Sequence, residues 1–151
     1  CRWASRSPNR SRNSRQRALL RSPIYAWARS RMNRNPDQFE PLFSAFPGFR
    51  FILDLAHAYI GERSSARCLE FLERFGDRLA HLHVSDNHGK HDEHLPLGCG
   101  SLPLKPIAKA LRKAGYDDTC TLEIFVEDRR ALVKSRDKFA SLLAGHAGGK
   151  P

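Results

Sequence analysis

The 151-residue sequence has no Cys-x-x-Cys pair, no Gly-rich phosphate loop behind an apolar run, and no apolar stretch approaching a membrane span. The first absence removes a zinc ribbon or disulfide framework. Cys1, Cys68, Cys99 and Cys120 are scattered, which fits a reducing compartment. The second weakens a nucleotide-binding reading, since such a loop is what cradles a phosphate at a helix N-terminus. The third argues against a membrane anchor. No basic segment leads into an apolar core as in a signal peptide, so the cytoplasm is the expected location.

Asp, Glu and Lys are missing from residues 1–36, which instead hold ten Arg. The formal charge of +10 is therefore local: of 26 basic residues, sixteen lie beyond residue 36, where they balance all sixteen acidic ones. A neutral body without an aromatic-interleaved basic groove argues against nucleic acid as its partner. Residues 1–36 show no persistent period and too little apolar surface to offset ordering entropy. Three readings stay open for them: a disordered Arg-rich arm, a nucleic-acid-binding tail, or sequence foreign to the fold through a frame shift or truncated gene. A first residue that is Cys rather than Met goes with the last.

From Asp37 to about residue 144 the texture is that of one folded unit, followed by a frayed tail, 145–151. Phe39, Leu42, Phe43 and Phe46 predict a short helix ending near Pro47-Gly48. Phe49 to Asp54 predicts a buried strand, with a loop behind it through Gly61. Ser64 or Ser65 then caps a helix carrying Cys68, Leu69, Leu72 and Phe75 on one face and Gly76 at its end. Leu79 to Val84 alternates with a period of two, placing Leu79, His81 and His83 opposite Ala80, Leu82 and Val84. Leu104, Ile107, Ala108 and Leu111 predict a helix entered at Pro103 and stopped by Gly115. Thr119 to Val126 predicts a strand, and 128–143 a last helix with Leu132, Phe139, Ala140 and Leu143 inward. Strands alternating with amphipathic helices imply a parallel α/β fold, either a β/α barrel or a doubly wound sheet.

What the chain does have is histidine, five of its seven between His81 and His94, interleaved with Asp86, Asp92 and Glu93. Imidazole and carboxylate at a strand end and in the loop behind it suit Zn, Mn, Co or Mg, although a His-rich loop can also be a plain surface connection. Asp54, His83 and Glu123 fall at or near the C-terminal ends of the three predicted strands. In a barrel that rim is where active sites form. The plain alternative is that each is a separately satisfied strand-end residue.

Asp54-Leu55-Ala56-His57, His83-x-x-Asp86-Asn87, Asp92-x-His94 with Leu97-Gly98-Cys99-Gly100 behind it, and Leu122-Glu123 resemble the second half of the xylose-isomerase-like TIM barrels. That superfamily includes sugar and sugar-phosphate isomerases and epimerases and the class II apurinic endonucleases. The resemblance covers about residues 37–143. It implies a partial (β/α)8 barrel, the last three to four βα units. It also implies a divalent metal (Mn, Mg, Co or Zn) on Asp54, His83 and Glu123, with Glu123 as an acid/base carboxylate. His57 would contact substrate oxygen or a second metal. Asp92 and His94 would hold an additional metal in the endonucleases and face substrate in the isomerases, while Asp86 and Asn87 would brace the loop. His81, His88 and His91 match nothing assignable, and are expected to be solvated or to stand behind the ligands.

The implied reaction is proton transfer through an enediolate on a sugar or sugar phosphate. The alternatives are an apurinic-endonuclease-like zinc phosphodiesterase and a non-catalytic basic protein binding nucleic acid through residues 1–36. Three elements depart from the family pattern: its Glu-Asn-x-Pro run is replaced here by Asn33-Arg34-Asn35-Pro36, four further strands expected upstream are absent, and Cys99 stands where relatives often have a polar or charged residue. An amide cannot act as a base, so whether the chain is an active enzyme stays open. The expectation is a C-terminal fragment with weak or absent turnover, prone to self-association through exposed barrel edges.

Overall fold

In the computed structural model, residues 35–145 apart from Arg63 are described. The expectations for residues 1–34 and for the tail beyond Gly145 lie outside them. The expected α/β architecture is present: a parallel three-stranded sheet in the order β1-β2-β3, formed by Phe51–Asp54, Leu79–Val84 and Thr119–Leu122. Each strand is followed by helix, so the chain makes three successive βα units. No helix among the described residues is long and apolar enough to cross a membrane.

Four of the five helices form where the apolar spacing places them. Helix α1 (Glu40–Ala45) follows a short turn at Pro36–Gln38, and α2 is Leu55–Tyr59. Helix α3 (Ala66–Phe75) buries Cys68, Phe71, Leu72 and Phe75, an i, i+3, i+4, i+7 stripe. The inward place expected for Leu69 goes to Phe71, while Leu69 is half-buried. Helix α4 (Leu104–Lys113) buries all four predicted residues, and Gly115 at φ 65° ends it where a side chain would be strained. Helix α5 (Arg129–Leu143) starts at Asp128, whose carboxylate accepts from the Arg130 amide at 2.9 Å.

Five phenylalanines tie the first units together. Phe39, Phe43, Phe51, Phe71 and Phe75 are all buried, with Phe43 and Phe75 4.9 Å apart between ring centroids and Phe39 edge-on to Phe71 at 5.3 Å. At the N-terminal end of the sheet Arg50 donates to the Leu79 carbonyl and to Asp118, which fastens that end of the strands.

Three local expectations are corrected. Residues 55–59 are helical rather than loop, because the Asp54 side chain caps them. The register of β1 on β2 shifts between Phe51↔Leu79 and Ile52↔His81, so two residues of β2 advance against one of β1. That bulge buries Leu79 with Leu82 and Val84 instead of leaving it beside His81. Strand β3 ends at Leu122 rather than Val126: Glu123 still donates to the Val84 carbonyl, but Phe125 donates to His94 in the loop, since β2 has no residue left to offer.

Candidate metal centre

Asp54, His83 and Glu123 come together at the C-terminal edge of the sheet. The parallel ladder pairs Asp54 with His83 and His83 with Thr121, so Glu123 lies one alternation beyond. One ligand atom from each lies within 4.8 Å of those of the other two. His83 Nδ1 is 2.9 Å from Glu123 Oε1 and 3.9 Å from Asp54 Oδ2. Two carboxylates and an imidazole nitrogen converging from rigid strands are a donor set that suits a borderline or hard divalent cation. Within the metal-competent groups of the described residues, this is the cluster whose donors converge so closely.

Asp54 does two jobs. Its Oδ1 accepts from the His57 amide at 2.9 Å, capping α2, while Oδ2 faces His57 Nδ1 at 3.0 Å. Burial works to raise the Asp54 carboxyl, but hydrogen bonds from the His57 ring and amide outweigh it and hold it below the usual range. The reciprocal effect is plain on His57. The hydrogen bond to Asp54 outweighs desolvation and, with Asp92 on the other side, lifts the imidazole to about 9.

A second group adjoins the first. His57 Nε2 meets Asp92 Oδ2 at 2.8 Å, and the same oxygen lies 3.1 Å from His94 Nε2. His94 Nδ1 donates to the Glu123 carbonyl at 2.8 Å; a carbonyl only accepts, so Nδ1 carries the hydrogen and Nε2 is turned toward Asp92. His94 adopts φ 49°, a left-handed conformation rare outside glycine, which lets one residue both pair with Phe125 and turn its ring inward.

The loop carrying Asp92 and His94 is braced from beneath. Asp86, 1% exposed, accepts from the amides of Asn87, Gly98 and Leu102 at 2.7–2.9 Å. Asn87, fully buried, donates to Ala56 and accepts from Gly89. Gly100 packs so tightly here that a Cβ would lie 2.5 Å from Asn87 O and Asp86 Oδ1. Lys138 on α5 donates to Leu97 and closes the far side.

The family model described as xylose isomerase-like TIM barrel matches residues 23–142. The chain belongs to this family. Among the curated relatives is a fructoselysine 3-epimerase of Escherichia coli O157:H7, 30% identical over 79 residues, a match covering 50% of this chain and 29% of that protein. An uncharacterized protein of Mycobacterium tuberculosis is 29% identical over 126 residues, covering 77% and 44%. A solved D-tagatose 3-epimerase-like protein superposes with TM-score 0.53 at 25% identity over 70% of this chain and 40% of its own. A Thermus thermophilus protein soaked with ZnCl2 gives 0.50 at 26%, over 77% and 43%. The match thus spans less than half the length of each of these proteins.

The sequence specified neither the partners of His81 nor the place of Phe125. His81 sits under His83 with both ring nitrogens engaged: Nδ1 is 2.8 Å from Thr119 Oγ1 and Nε2 is 2.9 Å from Thr121 Oγ1. Phe125 stacks on His94 with centroids 4.2 Å apart while remaining 74% exposed at the mouth. The signal for His81 was the alternation that puts His81 and His83 on one face and Thr119 and Thr121 on one face of the neighbouring strand. His88, by contrast, pairs with Glu93 on the surface, and His91 is exposed.

Proposed function

We propose that this chain carries the metal-binding part of a sugar or sugar-phosphate isomerase/epimerase, with Asp54, His83 and Glu123 as ligands to one divalent cation. The observation that carries the reading is the convergence of these three side chains within 4.8 Å at the C-terminal ends of three successive parallel strands. The epimerase relatives support the sugar substrate class. The cation, Mn, Mg, Co or Zn, would polarise the oxygens of the substrate and lower the barrier to removing a neighbouring proton.

In this reading the chain's own groups divide the work. Glu123, 19% exposed on its side chain, moves a proton at the substrate carbon. His57, about one-third exposed between Asp54 and Asp92, donates to a substrate oxygen. Asp92 and His94 line the same mouth and contact the rest of the sugar. The second carboxylate expected from the family's Glu-Asn-x-Pro run is replaced at Asn33, outside the described residues. We therefore read the 151-residue chain as a part of the barrel with one proton-transfer group missing, a loss of roughly a hundredfold or more in rate. Its outer strands β1 and β3 each pair with only one neighbour among the described residues, so self-association belongs to this reading.

Hydrogen exchange at the carbon next to a ketose carbonyl, followed by NMR in D2O with Mn2+, tests the reading. Slow exchange that disappears in E123Q supports it. Exchange unaffected by E123Q, or turnover at rates ordinary for such enzymes, opposes it.

One observation favours a second reading, an apurinic-endonuclease-like zinc phosphodiesterase. The orientation of His94 Nε2 and His57 Nε2 toward one Asp92 oxygen is a ready second set of donors. Zinc stoichiometry separates the two: three ions per chain point to the phosphodiesterase, one or two to the isomerase.

A further inference from the structure

Strand positions facing a barrel interior are ordinarily filled by branched aliphatic residues, and a histidine there brings two polar nitrogens into a partly buried layer. At His81 both nitrogens have a matched partner. The ladder pairs His81 with Thr119 and His83 with Thr121, and the His81 ring spans that step to reach both hydroxyls, at 2.8 and 2.9 Å. Each hydroxyl can donate or accept, so either neutral tautomer of His81 satisfies both bonds. A ring held at both ends cannot swing about its χ2 axis.

The fixed ring is the floor for its neighbour. His83 packs edge-on against His81 with centroids 5.2 Å apart and an interplanar angle of 86°. Backbone pairing alone sets where His83 starts, not where its ring points. The ring's direction decides whether Nδ1 reaches Glu123 Oε1, 2.9 Å away, and Asp54 Oδ2. Ligand histidines are commonly oriented by a hydrogen bond on the second nitrogen; here a clamped aromatic neighbour supplies the orientation by contact.

We infer that His81, clamped between Thr119 and Thr121, is a positioning residue that aims His83 at the cation shared with Asp54 and Glu123. The inference rests on the metal-site reading and adds a residue to it that touches neither cation nor substrate. It also accounts for the threonines at alternate positions of β3, Thr119 half-buried and Thr121 exposed.

The test is Co2+ titration of the full chain, reading affinity and the visible d–d bands, beside thermal unfolding of each variant without added metal. H81A is expected to weaken Co2+ binding by about tenfold and to shift the bands. H81F, which keeps a ring under His83 without its anchors, is expected to fall between H81A and the parent. The doubly isosteric T119V/T121V chain leaves His81 in place and frees its ring, so it decides the question if H81A fails to fold, with the same direction of change expected. If the parent binds Co2+ and these variants match it in affinity and bands while only the unfolding temperature drops, His81 merely clamps the sheet and the inference is overturned. A parent chain that takes up no Co2+ overturns the metal-site reading itself, and the inference with it.

Discussion

Asp54 and His57 are joined twice: the aspartate's Oδ1 accepts the His57 amide at 2.9 Å and its Oδ2 meets the His57 ring at 3.0 Å. One carboxylate thus ends β1, starts α2, orients an imidazole at the mouth and still presents an oxygen toward His83. The fold and the site share this residue, which makes their contributions separable by substitution.

Asparagine caps helices about as well as aspartate, whereas alanine forfeits about 1 kcal/mol. D54N should therefore keep the cap but lose the carboxylate opposite the His57 ring, unfolding below the parent yet above D54A, while losing divalent-cation uptake by isothermal titration calorimetry. D54A should lose both cap and uptake. Full uptake by D54N would show that the Asp54 charge is not needed for the ion.

The loop bearing Asp92 and His94 depends on Asp86. Removing its carboxylate strands the buried amides of Asn87 and Leu102, each worth about 1–3 kcal/mol when left unpaired, and frees the part-buried amide of Gly98. D86A should lower unfolding free energy in urea by about 3 kcal/mol or more and admit protease cleavage within residues 87–102. Loss below about 1 kcal/mol would mean the loop has another anchor.

Gly48 and Gly100 should respond differently to a methyl group. A methyl group at Gly100 meets the Asn87 carbonyl and the Asp86 carboxylate at 2.5 Å, whereas at Gly48 nothing lies within 4 Å. G100A should cost about 1–3 kcal/mol through overpacking, and G48A should change stability little. Equal melting temperatures for the two would contradict the close packing around Asp86.

Phe71 is the deepest member of the aromatic cluster, 1% exposed and in ring contact with Phe39 and Phe51. F71A should destabilise the chain by about 3–5 kcal/mol, enough to leave so small a core partly unfolded at 25 °C. Circular dichroism with temperature reads this directly, and a cooperative melt within a few degrees of the parent would speak against the cluster's role.

How much of this was legible in the sequence depended on whether a feature repeats. Six alternating residues marked β2 from Leu79 to Val84, and four apolar residues at helical spacing marked the buried face of α4. Helix α2 has only five residues, too few for any period to show, and it exists because of a cap. The bulge that buries Leu79 leaves no mark in the residue types, because it is a property of the pairing with Phe51 and Ile52. Asp54, His83 and Glu123 were recognisable as strand-end residues. Their separation was not, since it is set by register between strands about thirty to forty residues apart. The link from His81 to Thr119 and Thr121 was hidden for the same reason.

The most direct measurement is a crystal structure of the chain grown with Mn2+, read by anomalous scattering. One peak should sit between the Asp54 carboxylate, His83 Nδ1 and the Glu123 carboxylate, at bonding distances of about 2.0–2.3 Å. A peak only at surface carboxylates, or His83 and Glu123 still bonded directly to each other at millimolar Mn2+, would contradict a shared cation at these three strand ends.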